Sequence, residues 1–142
     1  MTTDQKAAPA GVRATSGVVH RRSPVTVAET VLRLSAAIRG AGGMVYFVVD
    51  HSGEAQRAGG ELRDTKVLGF GNPADDVATM AAAPLAALDL PTKILVWSDD
   101  DGTVWMTYLK PAWLSKRHNL EPDQAGPLST VDAVTAQVTS DG

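Results

Sequence analysis

Apolar and polar positions change period several times along this chain, and each change marks an element. Gly17 to Arg22 (GVVHRR) alternates, which predicts a short strand with Val18 and His20 on one side and Val19 and Arg21 on the other. Val27, Val31, Leu34 and Ile38 then recur every three or four residues, forming one apolar stripe along a helix. Thr26 and Glu29 have capping-box spacing for its start, and Ser23 followed by Pro24 offers an alternative. Gly40, Gly42 and Gly43 stop it.

Met44 to Val49 (MVYFVV) is an unbroken run of β-formers and predicts a strand buried on both faces or nearly so. Asp50-His51-Ser52-Gly53 ends that strand, and polar Glu54 to Asp64 predicts a loop or a short helical turn. Thr65 to Phe70 is the next strand, with Gly71 permitting a sharp turn. Asn72 is a good N-cap and Pro73 suits a first helical turn, because its missing N–H would have no partner there. Asp75 and Asp76 complement the positive end of that helix, and Val77, Met80 and Ala81 are expected to face the core. Pro84 should split the helix, leaving Leu85 to Leu88 as a remnant that closes at Asp89-Leu90-Pro91.

Lys93 to Trp97 and Thr103 to Leu109 flank Asp99-Asp100-Asp101-Gly102, a strong hairpin signal because Asp-Gly accepts positive φ. The three aspartates are expected to form a solvated tip. Pro111 opens a short helix, Ala112 to Leu120, and a further helix over Ser129 to Val138 places Val131, Val134 and Val138 on one side. Hairpins dominate and no regular βαβ alternation exists, so the chain predicts an α+β fold with a mostly antiparallel sheet packed by helices. Its order is strand, helix, strand, strand, helix, strand, strand, helix. Residues 1–16 are expected to be a flexible tail, 17–120 a single α+β domain, and 121–142 a partly helical extension with a frayed end.

Composition narrows the chemistry. At 142 residues with 44 % hydrophobic content, the chain can bury one core. A net charge of −3 argues against a nucleic-acid partner, and no apolar run has membrane-spanning length. With no cysteine there is no disulfide, thiol nucleophile or thiolate metal site. The N-terminus lacks the apolar core of an export signal, so a cytoplasmic location is expected.

Asp50-His51 is the best acid–base candidate, since a histidine beside a carboxylate can shuttle protons near neutral pH. The bland alternative is a strand end in which both satisfy local backbone groups. His20, His51 and His118 are far apart in sequence and show no metal-binding spacing, so neither metal nor cofactor is expected. Gly69-Phe70-Gly71-Asn72-Pro73 lacks the lysine of a phosphate loop and reads as a helix cap. Trp97, Trp105, Tyr108 and Trp113 cluster around the hairpin, with Trp97 and Trp105 placed to meet across it.

Asp50-His51, FGNP at 70–73, APLAALDLP at 83–91, VWSDDDG at 96–102, Trp105 and Tyr108 resemble blocks of the bacterial domain of unknown function 302 family. The resemblance covers Ser23 to Leu120. It implies a curved antiparallel sheet packed by helices, similar to the TATA-binding-protein arrangement, and a homodimer. It implies no reaction. Ser98 departs from the acidic residue that the family often carries there. The resulting expectation is a small ligand-binding or accessory module, with any ligand in a groove near Asp50, His51, Phe70 and Asn72. The alternatives are an enzyme using His51 as general acid or base, with Asn72 or Asp89 positioning substrate, and a purely structural or interaction module.

Overall fold

The computed structural model describes residues 8–13 and 15–140. Five strands form one antiparallel sheet: β1 (Val18–Arg22), β2 (Met44–Asp50), β3 (Thr65–Gly71), β4 (Thr92–Ser98) and β5 (Val104–Leu109), in the spatial order β1-β5-β4-β3-β2. Helix α1 (Val27–Gly40) joins β1 to β2, and α2 (His51–Arg57) follows β2 directly. Helix α3 (Pro73–Ala82) and a 3₁₀ turn (Pro84–Leu88) join β3 to β4. After β5 come α4 (Pro111–Arg117), the single turn α5 (Pro122–Ala125), a 3₁₀ turn (Gly126–Ser129) and α6 (Thr130–Ser140).

Side chains alternate along a strand, so Leu68, Phe70, Ile94, Val96, Met106 and Tyr108 share one face, and all are buried. Val27, Leu34, Ala37 and Ile38 of α1 and Val131, Val134 and Val138 of α6 close over that face. The periodic stripe read from the sequence is therefore the core seam. Thr26 is the cap of α1, its hydroxyl accepting the Glu29 N–H at 3.1 Å. Pro84 does split the second long helix.

Helix α6 corrects the expected domain limit. Its valines belong to the core and not to an extension beyond Leu120, packing beside α1. The expected N-terminal tail falls partly outside the described residues, but Pro9 is buried and the Ala10 N–H is tied to Asp99 at 2.9 Å.

The largest correction concerns β2. Its apolar run predicted burial on both faces, yet β2 lies at the sheet edge, pairs only with β3, and leaves Met44, Tyr46, Phe47, Val48 and Val49 exposed. A β-bulge between Val45 and Phe47 takes Tyr46 out of the ladder.

The hairpin tip needs a second correction. Asp99 is only 3 % exposed. Its Oδ1 accepts the Asp101 and Thr103 N–H groups at 3.0 and 2.9 Å, and its Oδ2 accepts the Ala10 N–H and the Trp105 indole N–H at 2.9 and 2.8 Å. Burial pushes this carboxyl upward, but the donors outweigh it and hold it at about 2. Trp105 is thereby locked under β1, with the His20 ring edge-on at 6.2 Å and the Arg22 guanidinium 5.5 Å from its centroid.

Asp99→Ala should lower the unfolding free energy at neutral pH by about 2 kcal/mol or more, since it strands buried donors. The contribution of Asp99 has a defined sign. It is complete above pH 3.8, the ordinary value, and disappears as pH falls towards about 2. Urea unfolding of Asp99→Ala should lose the pH dependence of the parent in that window. An unchanged acid profile would contradict the assignment.

Candidate ligand site beside the β2 edge

The residues singled out from the sequence divide between two ends of one hairpin. Asp50 pairs with Lys66 and Met44 with Gly71 in the β2–β3 ladder, so Asp50-His51 and Asn72 lie at opposite strand ends. Six residues separate those ends, roughly 20 Å at strand spacing. The expected groove joining His51 to Asn72 is therefore not formed. Asp50 caps α2, accepting the Gly53 N–H at 3.0 Å and the Ser52 hydroxyl at 2.7 Å, and these bonds hold its carboxyl below the usual range. The His51 ring is exposed and bonds to no other described residue.

At the other end, Asn72 caps α3 by accepting the Ala74 N–H at 3.0 Å, and its amide donates to the Gly42 carbonyl at 3.2 Å. Phe70 is a core residue, 3 % exposed. Phe70 and Asn72 share a pocket of about 50 Å³ with Asp75 and Asp76, too small for more than a water or two.

Asp76 also borders a much larger groove, about 400 Å³, between β2 and α3. Its walls are Tyr46, Phe47, Pro73, Val77, Met80, Leu90 and Pro91. Val77 was expected in the core but is 62 % exposed, because the buried face of α3 is built on Thr79. Two glycines shape this region. A side chain at Gly69 would meet the Phe47 ring at 2.4 Å, and one at Gly71 would meet Asp76 Oδ2 at 2.4 Å. The aromatic ring and the carboxylate thus occupy the space that ordinary strand residues would take.

Asp76 accepts no hydrogen bond from a described residue. Burial, and then the Asp75 charge, push its carboxyl up. Burial and the Asp76 charge likewise push the Tyr46 phenol up. Sequence reading missed this constellation. Its one visible signal was the pair of glycines flanking Phe70 on a single strand face.

A second cleft, about 220 Å³, lies on the open sheet face against α4, between Val18, Val67, Leu95, Leu109 and Leu114. Its carboxylate, Asp89, is already engaged: His118 Nε2 lies at 2.6 Å and Arg117 Nε at 3.0 Å. Burial raises the Asp89 carboxyl, but these partners bring it below its ordinary value. The third histidine, His20, places Nδ1 2.9 Å from the Thr107 hydroxyl, which accepts the Trp97 indole N–H at 2.9 Å. Burial pushes the His20 imidazole below its ordinary value. The three histidines stay apart, and the described residues contain no cluster of three potential metal ligands.

Residues 19–138 match the family described as Domain of unknown function DUF302. The chain belongs to this family. A DUF302 crystal structure, an uncharacterized conserved protein from Bacillus stearothermophilus, superposes with a TM-score of 0.74 at 19 % identity, covering 89 % of this chain and 98 % of that one. The α+β fold is therefore that of DUF302. Two proteins named Fluoride-specific ion channel FluC 1, from Brucella suis biovar 1 (strain 1330) and Brucella abortus biovar 1 (strain 9-941), are each 39 % identical over 127 residues, or 89 % of this chain. The match covers 48 % and 45 % of those relatives, so this DUF302 chain spans about half their length.

Asp50→Ala should lower the denaturation midpoint through loss of a helix cap, whereas His51→Ala should leave it close to that of the parent. Chemical denaturation of both variants checks this. A large loss from His51→Ala would show that the ring makes contacts it lacks here.

Proposed function

We propose that this DUF302 domain is a cytoplasmic accessory module that binds a small molecule in the β2–α3 groove and works as a homodimer, with no enzymatic centre of its own. The observation that carries the binding reading is the groove itself. It combines exposed apolar side chains with one carboxylate that no described residue neutralises. Apolar walls with few polar groups are the usual make-up of small-molecule sites. An enzyme built on His51 draws no such support, since Asp50 is committed to capping and faces another task. Neither a nucleic-acid nor a membrane partner is part of this reading.

The accessory role draws on the relatives named as ion channels. About half of each is matched by this chain, and no helix among the described residues here is long and apolar enough to cross a membrane. A domain of this kind therefore occurs joined to a further portion that this chain does not match.

The homodimer reading rests on the contrast between the two sheet edges. The β1 edge, VVHRR, carries the charges that natural edge strands use against self-pairing. The β2 edge, MVYFVVD, carries none before Asp50 and exposes a row of apolar side chains. Antiparallel pairing of two β2 strands about a two-fold axis would continue the sheet and keep the two Asp50 carboxylates at opposite ends.

A thermal-shift screen of metabolites should find compounds that stabilise the parent and His51→Ala alike but leave Val77→Lys unshifted. Loss of the shifts in His51→Ala, with retention in Val77→Lys, would overturn the groove reading. Light scattering over a micromolar dilution series should give a dimer for the parent and a folded monomer for Val48→Lys. A monomeric parent, or a dimeric Val48→Lys, would contradict pairing through β2.

A further inference from the structure

We infer that the β2–α3 groove takes a small organic cation, an amine or quaternary ammonium with an apolar body, its charge beside Asp76 and against the rings of Tyr46 and Phe47. This rests on the groove being a ligand site and adds the chemical class of the ligand.

The charge of the groove favours a cation. Among the described residues Asp76 is the one carboxylate in the groove wall, and no described lysine, arginine or histidine shares that wall. Its nearest charged neighbour, Asp75, has the same sign. A carboxylate partly removed from water beside a like charge gains from a cation and repels an anion. The cleft at Asp89 differs, because Arg117 already provides its cationic partner and His118 a further hydrogen bond.

Its aromatic chemistry points the same way. Tyr46 and Phe47 both border the groove, and the face of an aromatic ring attracts a cation within about 6 Å of its centroid. The bulge lets both consecutive residues reach the groove, where a regular strand would send them to opposite faces. Val77, Met80 and Pro91 supply an apolar surface for the rest of the molecule.

The backbone, too, is cut to hold these two groups. Gly71 makes room for the Asp76 carboxylate and Gly69 for the Phe47 ring. Neither glycine has positive φ. Space, and not backbone conformation, accounts for them at both positions.

The probes are phenethylamine, benzyltrimethylammonium and their uncharged analogue 2-phenylethanol, titrated calorimetrically into the full chain at pH 7. Both cations should bind, with 2-phenylethanol at least tenfold weaker. Asp76→Asn should weaken the cations at least tenfold while leaving 2-phenylethanol and the melting temperature little changed. Tyr46→Leu should weaken benzyltrimethylammonium several-fold as a second, independent reading of the site. Equal binding of the alcohol and the cations would overturn the cation class but leave a ligand groove. So would cation binding that survives Asp76→Asn. If neither cation binds at millimolar concentration, the class falls. The metabolite screen with Val77→Lys then decides separately whether the groove binds anything.

Discussion

The seam between α1, α6 and the three middle strands governs the rest of this structure. Leu34 and Ile38 are fully buried against Leu68, Ile94, Val96 and Met106, and the valines of α6 complete the layer. Burying apolar area at roughly 25 cal/mol per Å² makes this contact the principal favourable term. Helix α1 also reaches β2, where Val45 packs against the core, but the edge position leaves most of that strand's side chains exposed.

An uncovered apolar strand invites a partner, and two features beside β2 say what kinds. Along its outer edge the backbone groups face no neighbouring strand, which suits a second copy of the chain. At its start the bulge turns Tyr46 towards α3, where Asp76 lies unneutralised among apolar side chains. One strand thus serves both proposals: its regular part offers backbone pairing and its irregular part offers side-chain chemistry. The glycines of β3 connect the two, since they let the neighbouring strand and helix approach closely enough to make a groove.

Much of this fold was legible because the responsible signals are local. The α1 stripe, the Asn72-Pro73 cap, the Pro84 break and the Asp-Gly hairpin each depend on residues within one or two turns of each other. Strand position within a sheet is different. MVYFVV reads the same at an edge and at the centre, and only the distant pairing of β1 with β5 puts β2 outside. Asp99 misled for a similar reason, as its donors include Ala10, 89 residues away. The candidate site was half legible. Asn72 marked the correct end of β3, but His51 lay at the other end of a ladder whose register the sequence does not display. Asp76 read as an ordinary dipole-favoured carboxylate until its missing partners could be seen.

Asp76, a carboxylate with no partner among the described residues, is placed to receive a cation, and its own titration tests this most directly. Its neighbour Tyr46, whose phenol burial and the Asp76 charge push up, stays neutral over the acidic range. Carbon-13 NMR of the Asp76 carboxyl in the free protein should give a midpoint above the ordinary 3.8, and phenethylamine should lower it. A midpoint at or below 3.8 that phenethylamine leaves unmoved would contradict the account.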